Sequence, residues 1–453
     1  MIFFDKLRGM QGMWVRKRIE ITPGELIRGL ACCALPGPRD GVAASVARFW
    51  DARQTVVCLS VRSGFDLLLH SAGWPPGSEV IMSGLTIPDM PRIVEENGLV
   101  PVGVDIDLTH MAPDVDEIRR RITPHTRAIV VAHLLGGVCD LGPVRELASE
   151  HGLLLIEDCA QAFVGRQYQG DPQADVSMFS FGPIKTNTAL SGGLVLVRDE
   201  ALRLAMLRCQ EQWKLQSRWT FARRIGKYGM VKMLSTRPVC GGIYRMLKMC
   251  GRNHDGIAST MARGFAGSGF FLKIRRQPSR PLLQLLDYKL GRWQDRHLER
   301  RRQHGQFLQT ALGPGVCVLG SQMNRQTWWV FPILVERPDE LIPRLWDAGF
   351  DASNNCSLHA MLDEQQSVAC SVLRHIVFLP LHGDMPKSEL TRMARIVRQA
   401  EPEWPAFVRS AKRGRDVEPQ PVSAAPLPPP CDPAASAAVT SQGNVPAETP
   451  LAR

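Results

Sequence analysis

The chain has 453 residues, 44% of them hydrophobic and 22% charged. That is a globular composition, with ample material for a buried core and more length than one ordinary domain uses. The net charge of +11 is local: residues 214 to 280 hold fifteen Lys and Arg and one acid, so this stretch carries +14 and the rest of the chain −3.

The 12 cysteines are scattered, with no CxxC pair, which argues against a disulfide framework or a zinc site and for the reduced thiols of a cytosolic protein. The first residues, MIFFDKLRGMQGMWVRKR, are basic without a long apolar core, so no signal peptide is expected. No charge-free apolar run approaches the roughly 20 residues of a membrane-spanning helix.

In chain order, residues 1 to 50 read as short helices broken at Pro23, Pro36 and Pro38. Thr22-Pro23-Gly24-Glu25 offers an N-cap followed by proline at the first helical position. TVVCLSV (55 to 61) reads as a buried strand, and Arg62-Ser63-Gly64 opens a helix. A second strand follows in EVIMSG, then a helix from Pro88 to Asn97. VPVGVDID is a third strand, DVDEIRRRI an amphipathic helix, and RAIVVAHLLGG a fourth strand. VRELASEHG is a helix ending at Gly152, LLLIEDCA a fifth strand, and VSMFSF and GGLVLVRD two more.

Strands that are apolar throughout and alternate with helices indicate a doubly wound, mostly parallel α/β sheet with helices on both faces. This large domain is expected over 51 to 213. A basic amphipathic insertion follows over 214 to 280. A long charged helix from about Leu282 to Leu312 then leads into a smaller α/β unit, the two together spanning 281 to 410. The smaller unit is read as strand WWVFPILV, helix DELIPRLWDAG, strand HIVFLPL and helix KSELTRMARIVRQA. From 411 onwards the Pro/Ala/Ser-rich composition predicts a disordered tail.

In such sheets ligands sit beyond the carboxyl ends of the strands. Ser63-Gly64, Thr86, His133, Asp158 and Lys185 all fall at those ends. A lysine amine held away from bulk water can form a Schiff base with an aldehyde. A carboxylate such as Asp158 can pair with a protonated pyridine nitrogen, as a pyridoxal cofactor requires. Gln161, three residues on, could reach a ring hydroxyl. Ser63-Gly64-Phe65, where a strand turns into a helix, can receive a phosphate on free N–H groups, with Ser180 adding a hydroxyl. Taken singly, each has a plainer reading: a surface lysine, an aspartate capping the next helix, an ordinary N-cap. His133 reads as a satisfied core histidine rather than a catalyst. Spacing alone shows a cofactor pocket at most.

Together these motifs resemble the DegT/DnrJ/StrS sugar aminotransferases, which are fold-type I pyridoxal phosphate enzymes. The resemblance covers about residues 55 to 400. It rests on the Ser63-Gly64 turn, on ENGLVPVGVDID and AHLLGGVCDL, and most of all on IEDCAQAF followed by SFGPIKTNTALSGG. It implies that Lys185 is the Schiff-base lysine and Asp158 the partner of the pyridine nitrogen. Gln161 would contact the ring hydroxyl, and Ser63, Gly64 and Ser180 would form part of the phosphate cup. It also implies transfer of an amino group, from glutamate, to a nucleotide-linked keto sugar, in a cytoplasmic homodimer with sites at the interface.

This sequence departs from the family pattern at several points. Ile87 stands where an aromatic stacks on the ring, and Phe65 where a hydroxyl completes the cup. Pro278-Ser279-Arg280 only echoes a segment that reaches the neighbouring subunit. The sugar-side tyrosine is missing from the stretch ending at His359. Arg280 and His359 are the candidate substrate contacts. A pyridoxal lyase or dehydratase on the same scaffold, or a non-catalytic membrane-associated relative, are the alternatives. The basic segment reads as extra to the family pattern. Its apolar residues, interleaved with Arg and Lys, suggest a membrane-surface or subunit contact at the inner face of the membrane rather than nucleic acid.

Overall fold

The computed structural model describes residues 12–16, 18–250, 269–354, 357–362, 367–400 and 404–409. The expected tail from 411 onwards lies outside these residues, as do 251–268 of the basic segment. The main sheet has seven strands. In chain order they are β1 (Thr55–Cys58), β2 (Glu79–Ser83), β4 (Val100–Val104), β5 (Thr126–Ala132), β6 (Leu154–Asp158), β7 (Val176–Ser180) and β8 (Gly193–Val197). A short β3 (Leu85–Thr86) lies outside this sheet. The spatial order is β1-β8-β7-β6-β5-β2-β4. β8 runs antiparallel to both of its neighbours and the other pairings are parallel. This is the doubly wound, mostly parallel sheet that the apolar strands predict.

Side chains alternate across the sheet, so neighbouring residues of a strand serve different cores. On one face Val130 and Ile156 pack with Phe65, Leu68 and Ile93 from the helices Val61–Ala72 and Asp89–Glu96. On the other, Val131 and Leu155 pack with Val144 and Leu147 of the helix Gly142–Glu150. Farther along that second face, Phe179 and Leu194 meet Leu282 and Leu286 of the helix Arg280–Gly291.

The remaining short strands are β9 (Cys317–Val318), β10 (Phe331–Leu334), β11 (His359–Ala360) and β12 (Ile376–Leu379). β12, β10 and β9 form a small antiparallel sheet. The helices Pro338–Asp347 and Lys387–Ala400 contribute to its core.

Two expectations change, and one helix is new. The long helix is two helices, Arg280–Gly291 and Arg296–Leu312. Between them Trp293 turns onto Phe163, ring centroids 5.1 Å apart, and its indole nitrogen donates to Asp295 at 2.6 Å. Side-chain satisfaction of this kind interrupts a helix whose periodicity otherwise continues. The strand expected from Trp328 begins only at Phe331, because Trp328 adopts a positive φ of 50°. The helix Val368–His375, capped by Ser367, fills a stretch that carried no expectation.

The described part of the basic segment forms two helices, Arg218–Leu234 and Arg237–Met249. The first packs Phe221, Ile225 and Tyr228 into the same core as Phe179 and Leu282. The described residues up to Arg409 form one compact unit, so these helices are part of the main body rather than a separate domain.

Candidate active site

The strands β1, β2, β4, β5, β6 and β7 end at one edge of the sheet, and β8 begins there. The turn after β1 is the first wall. Ser60 is the N-cap of the helix Val61–Ala72, its hydroxyl accepting from the Ser63 N–H at 3.2 Å. The helix thus starts one residue earlier than Arg62, and Ser63 and Gly64 sit inside its first turn. The Ser63 hydroxyl is buried against that of Ser60 at 2.9 Å. A Cβ on Gly64 would lie 2.5 Å from a Val195 methyl, so glycine lets this helix approach the sheet. Phe65 is fully buried, in the core that the helix shares with the sheet.

The Ser191-Gly192-Gly193 stretch holds this turn against β8. The Gly192 N–H and the Ser191 hydroxyl both donate to the Leu59 carbonyl at 2.7 Å. A Cβ on Gly193 would stand 2.7 Å from the Ser60 carbonyl carbon, which leaves room only for glycine. The segment carrying Lys185 is therefore bound directly to the helix N-terminus.

Asp158 ends β6, on the face served by Ile156. Its Oδ1 accepts from the Ala160 N–H at 2.9 Å, and Oδ2 has no partner among the described residues. Burial pushes this carboxyl up, while the Ala160 hydrogen bond and the charges of Lys185, His133 and Arg62 pull it back in part. Lys185 is half-buried, and its Nζ lies 4.3 Å from the centre of the Trp329 ring. The Trp329 indole donates to the Ile184 carbonyl at 2.9 Å, which fixes the ring beside the lysine. Gln161 Oε1 accepts from the Leu135 N–H at 2.9 Å, while its amide nitrogen has no partner among the described residues. Ser180 is buried, with Oγ 3.4 Å from the Gly182 N–H.

Glu157, one residue before Asp158, faces the other way and is fully engaged. It is bonded to His133 Nε2 at 2.6 Å, to the Ser177 hydroxyl at 2.8 Å, to the Asp171 N–H at 3.0 Å and to the Tyr168 hydroxyl. Burial alone would raise its pKa, but His133, Tyr168 and Ser177 hold it down at about 2. Burial likewise disfavours the His133 imidazolium, yet Cys139, Cys159 and Glu157 outweigh it and keep the pKa well above the usual range. His133 is the satisfied core histidine that the sequence suggests. His133, Glu157 and Cys159 also place three potential metal-ligand atoms within 4.8 Å of one another. Burial keeps the Cys159 thiol protonated, however, and the hydrogen bonds already occupy the imidazole and the carboxylate.

The outer candidates are dispersed. Half-buried Ile87 follows β3, and exposed His359 lies in β11, which pairs with β3 through His359 and Thr86. Arg280 donates to the carbonyls of Leu35 and Pro36, both at 3.1 Å, so it holds the N-terminal helices. Sequence reasoning missed Trp329 and Arg301. Buried Arg301 donates to the Thr327 carbonyl at 2.8 Å and the Thr186 hydroxyl at 3.2 Å, joining the lysine turn to the loop before β10. The adjacent Trp328-Trp329 pair was the one available signal for the former, and it reads as strand.

The sequence model of the DegT/DnrJ/EryC1/StrS aminotransferase family matches residues 40–249. That span is 210 of the 453 residues, and the likeness to this family holds for this segment. The matched span contains β1 to β8, Asp158, Lys185 and both basic helices, so the described basic helices fall inside the family match rather than outside it. An L-glutamine:2-deoxy-scyllo-inosose aminotransferase of Streptomyces kanamyceticus is 36% identical over 38% of this chain and 43% of its own length. A GDP-perosamine synthase of Caulobacter vibrioides is 35% identical over 36% of this chain and 45% of its own. The chain thus spans less than half the length of these curated relatives. An aminotransferase structure from Streptoalloteichus hindustanus superposes with a TM-score of 0.64 at 20% identity, covering 86% of this chain and 99% of that one. This superposition shows a shared fold over most of the chain.

Proposed function

We propose that the chain is a pyridoxal phosphate-dependent aminotransferase that moves an amino group, from glutamate, to a nucleotide-linked keto sugar. The products would serve polysaccharide, lipopolysaccharide or secondary-metabolite sugar synthesis. The observation that carries this reading is Asp158. A half-buried carboxylate with one oxygen open, beside a half-buried lysine at the strand-end edge, fits a protonated pyridine nitrogen. The Gln161 amide nitrogen fits a ring hydroxyl. The first N–H groups of the helix Val61–Ala72, with Ser180, fit a phosphate.

When bound, the cofactor supplies an aldehyde for the lysine amine and an electron sink for the bond broken at the amino-bearing carbon. Asp158 keeps the ring nitrogen protonated. Lys185 Nζ moves the proton between the two carbons that exchange it. Trp329 covers one side of the lysine and limits its contact with water. The family match over residues 40–249 and the names of the two curated relatives support amination of a sugar or cyclitol, and favour it over a lyase on the same scaffold. The name of one relative specifies glutamine, so the donor is a point to test.

The ten described cysteines are all free, which supports a cytoplasmic setting. A homodimer follows the resemblance. The visible spectrum of the purified protein tests the central reading. A cofactor band that converts to the pyridoxamine form with glutamate or glutamine supports transamination. Product release without that conversion indicates a lyase, and a protein whose spectrum lacks the band and is unaltered by Lys185→Ala is non-catalytic.

A further inference from the structure

The two basic helices each bury one face and leave the opposite face in solvent. In Arg218–Leu234 the buried stripe is Phe221, Ile225 and Tyr228, at helical spacing. On the other side Trp219 is 59% exposed, Met230 51% and Met233 62%. In Arg237–Met249 the buried stripe is Cys240, Tyr244 and Leu247, while Met246 is 53% and Met249 82% exposed. Single exposed apolar residues need no explanation. Five large ones on two consecutive helices, on the sides away from the core and with Met230/Met233 and Met246/Met249 each three residues apart, are apolar area that water solvates poorly.

The charge around them has one sign. No acidic residue occurs between Gln212 and Cys250. Lys214, Arg218, Arg223, Lys227 and Arg245 are all exposed. Two further cations anchor the helices to the body: Arg224 donates to the Leu190 carbonyl at 2.6 Å and Lys232 to the Ile19 carbonyl at 3.1 Å. Lys248 pairs with Asp347. The helices are thereby fixed to the body while their outer faces stay cationic and apolar.

We propose that this face docks on an anionic phospholipid bilayer, with Trp219 and the methionines at the acyl boundary and the cations among the headgroups. The charge selects this occupant. A second copy seated isologously would set these cations against themselves, which costs association free energy. Tryptophan with flexible apolar side chains suits the interfacial layer of a membrane, where surface charge and apolar insertion add. Among the described residues no helix is long and apolar enough to cross a membrane, so the contact lies in the plane of the surface.

Co-sedimentation of the full chain with vesicles tests this. Binding to phosphatidylcholine vesicles containing phosphatidylglycerol, absent with phosphatidylcholine alone and weakened by salt, is the expected result. Arg218→Ala with Arg223→Ala should weaken it about thirtyfold, at about 1 kcal/mol per cation near the surface. Trp219→Ser with Met233→Ser should also weaken it, with an unchanged thermal melt showing that the fold is intact. Three outcomes overturn the proposal: no binding to anionic vesicles, equal binding to neutral ones, or binding indifferent to both double variants. Tighter binding to a duplex RNA probe than to vesicles, lost in the arginine variant alone, would assign the face to nucleic acid. Conversion of a dimer to a monomer by Trp219→Ser with Met233→Ser, without vesicle binding, would assign it to a second copy.

Discussion

Glu157 and Asp158 are consecutive carboxylates at the end of one strand, and they have opposite fates. Glu157 has four partners, and its pKa is pulled down to about 2 by His133, Tyr168 and Ser177 against the effect of burial. Asp158 has one hydrogen bond, and burial pushes its pKa up. The strand's period of two sends them to different faces. The first face closes a polar network within the core and the second opens on the lysine. A buried polar group that the chain satisfies completely is structural. One that it leaves half-satisfied costs stability and is a place for a ligand.

Substitutions on each side of this pair should separate activity from stability. The largest effect is expected from Lys185→Ala. It should lower amino transfer by at least about a thousandfold and remove the cofactor's visible band, while the thermal melt stays within a few degrees. His133→Ala should do the reverse. It leaves Glu157 buried without its charged partner, which costs about 3 to 5 kcal/mol in chemical denaturation, and the surviving folded protein should keep the band. Asp158→Asn should reduce turnover about a hundredfold, the scale of one hydrogen bond to a charged group. Its stability should hold or rise, because burial opposes the charge it removes. If Asp158→Asn destabilised the protein as much as His133→Ala does, the contrast between the two faces would fail.

Acid should act through Glu157. Its folded pKa is held near 2 against an ordinary 4.5, so its contribution is fully present above pH 4.5 and is lost as the pH falls through about 2. Denaturation curves of the wild type and Glu157→Gln should therefore converge by on the order of 3 kcal/mol across that window. His133 has the opposite sign. Its raised pKa gives stability that is present below pH 6.5 and lost as the pH rises through the folded value.

The sheet was legible in the sequence because its strands are uniformly apolar and their ends carry turn chemistry. Asp158, Gln161, Ser180 and Lys185 stand out in the sequence as candidates because they lie within two short stretches on neighbouring strands, and the structure places them near one sheet edge. The small domain was read less well. Trp328-Trp329 looks like the start of a strand, and nothing local signals that a positive φ at Trp328 delays it. Arg301 looks like one more charge on a polar helix. Its burial arises from a loop 26 residues later and from Thr186, 115 residues earlier. The break between the helices ending at Gly291 and starting at Arg296 depends on Trp293 meeting Phe163, a contact that periodicity cannot show. At the first wall, the serine that caps the helix is Ser60 rather than Ser63, since both residue types suit the role and only geometry chooses.

Trp329 sets the finest test of the comparison, because it touches Lys185 without belonging to either carboxylate. Its ring faces Nζ at 4.3 Å and its indole N–H holds the Ile184 carbonyl. Trp329→Phe keeps an aromatic face but deletes that hydrogen bond, a loss of about 1 kcal/mol. If the hydrogen bond serves to orient the lysine turn, kcat should fall about fivefold with KM for the amino donor unchanged. Trp329→Leu, which also removes the ring, should reduce kcat further and shift the limb of the pH–rate profile that reports Lys185, because an ammonium is favoured by the ring face. A KM effect with unaltered kcat in both variants would place Trp329 on the substrate side instead, and the lysine would then be oriented by Thr186 and Arg301.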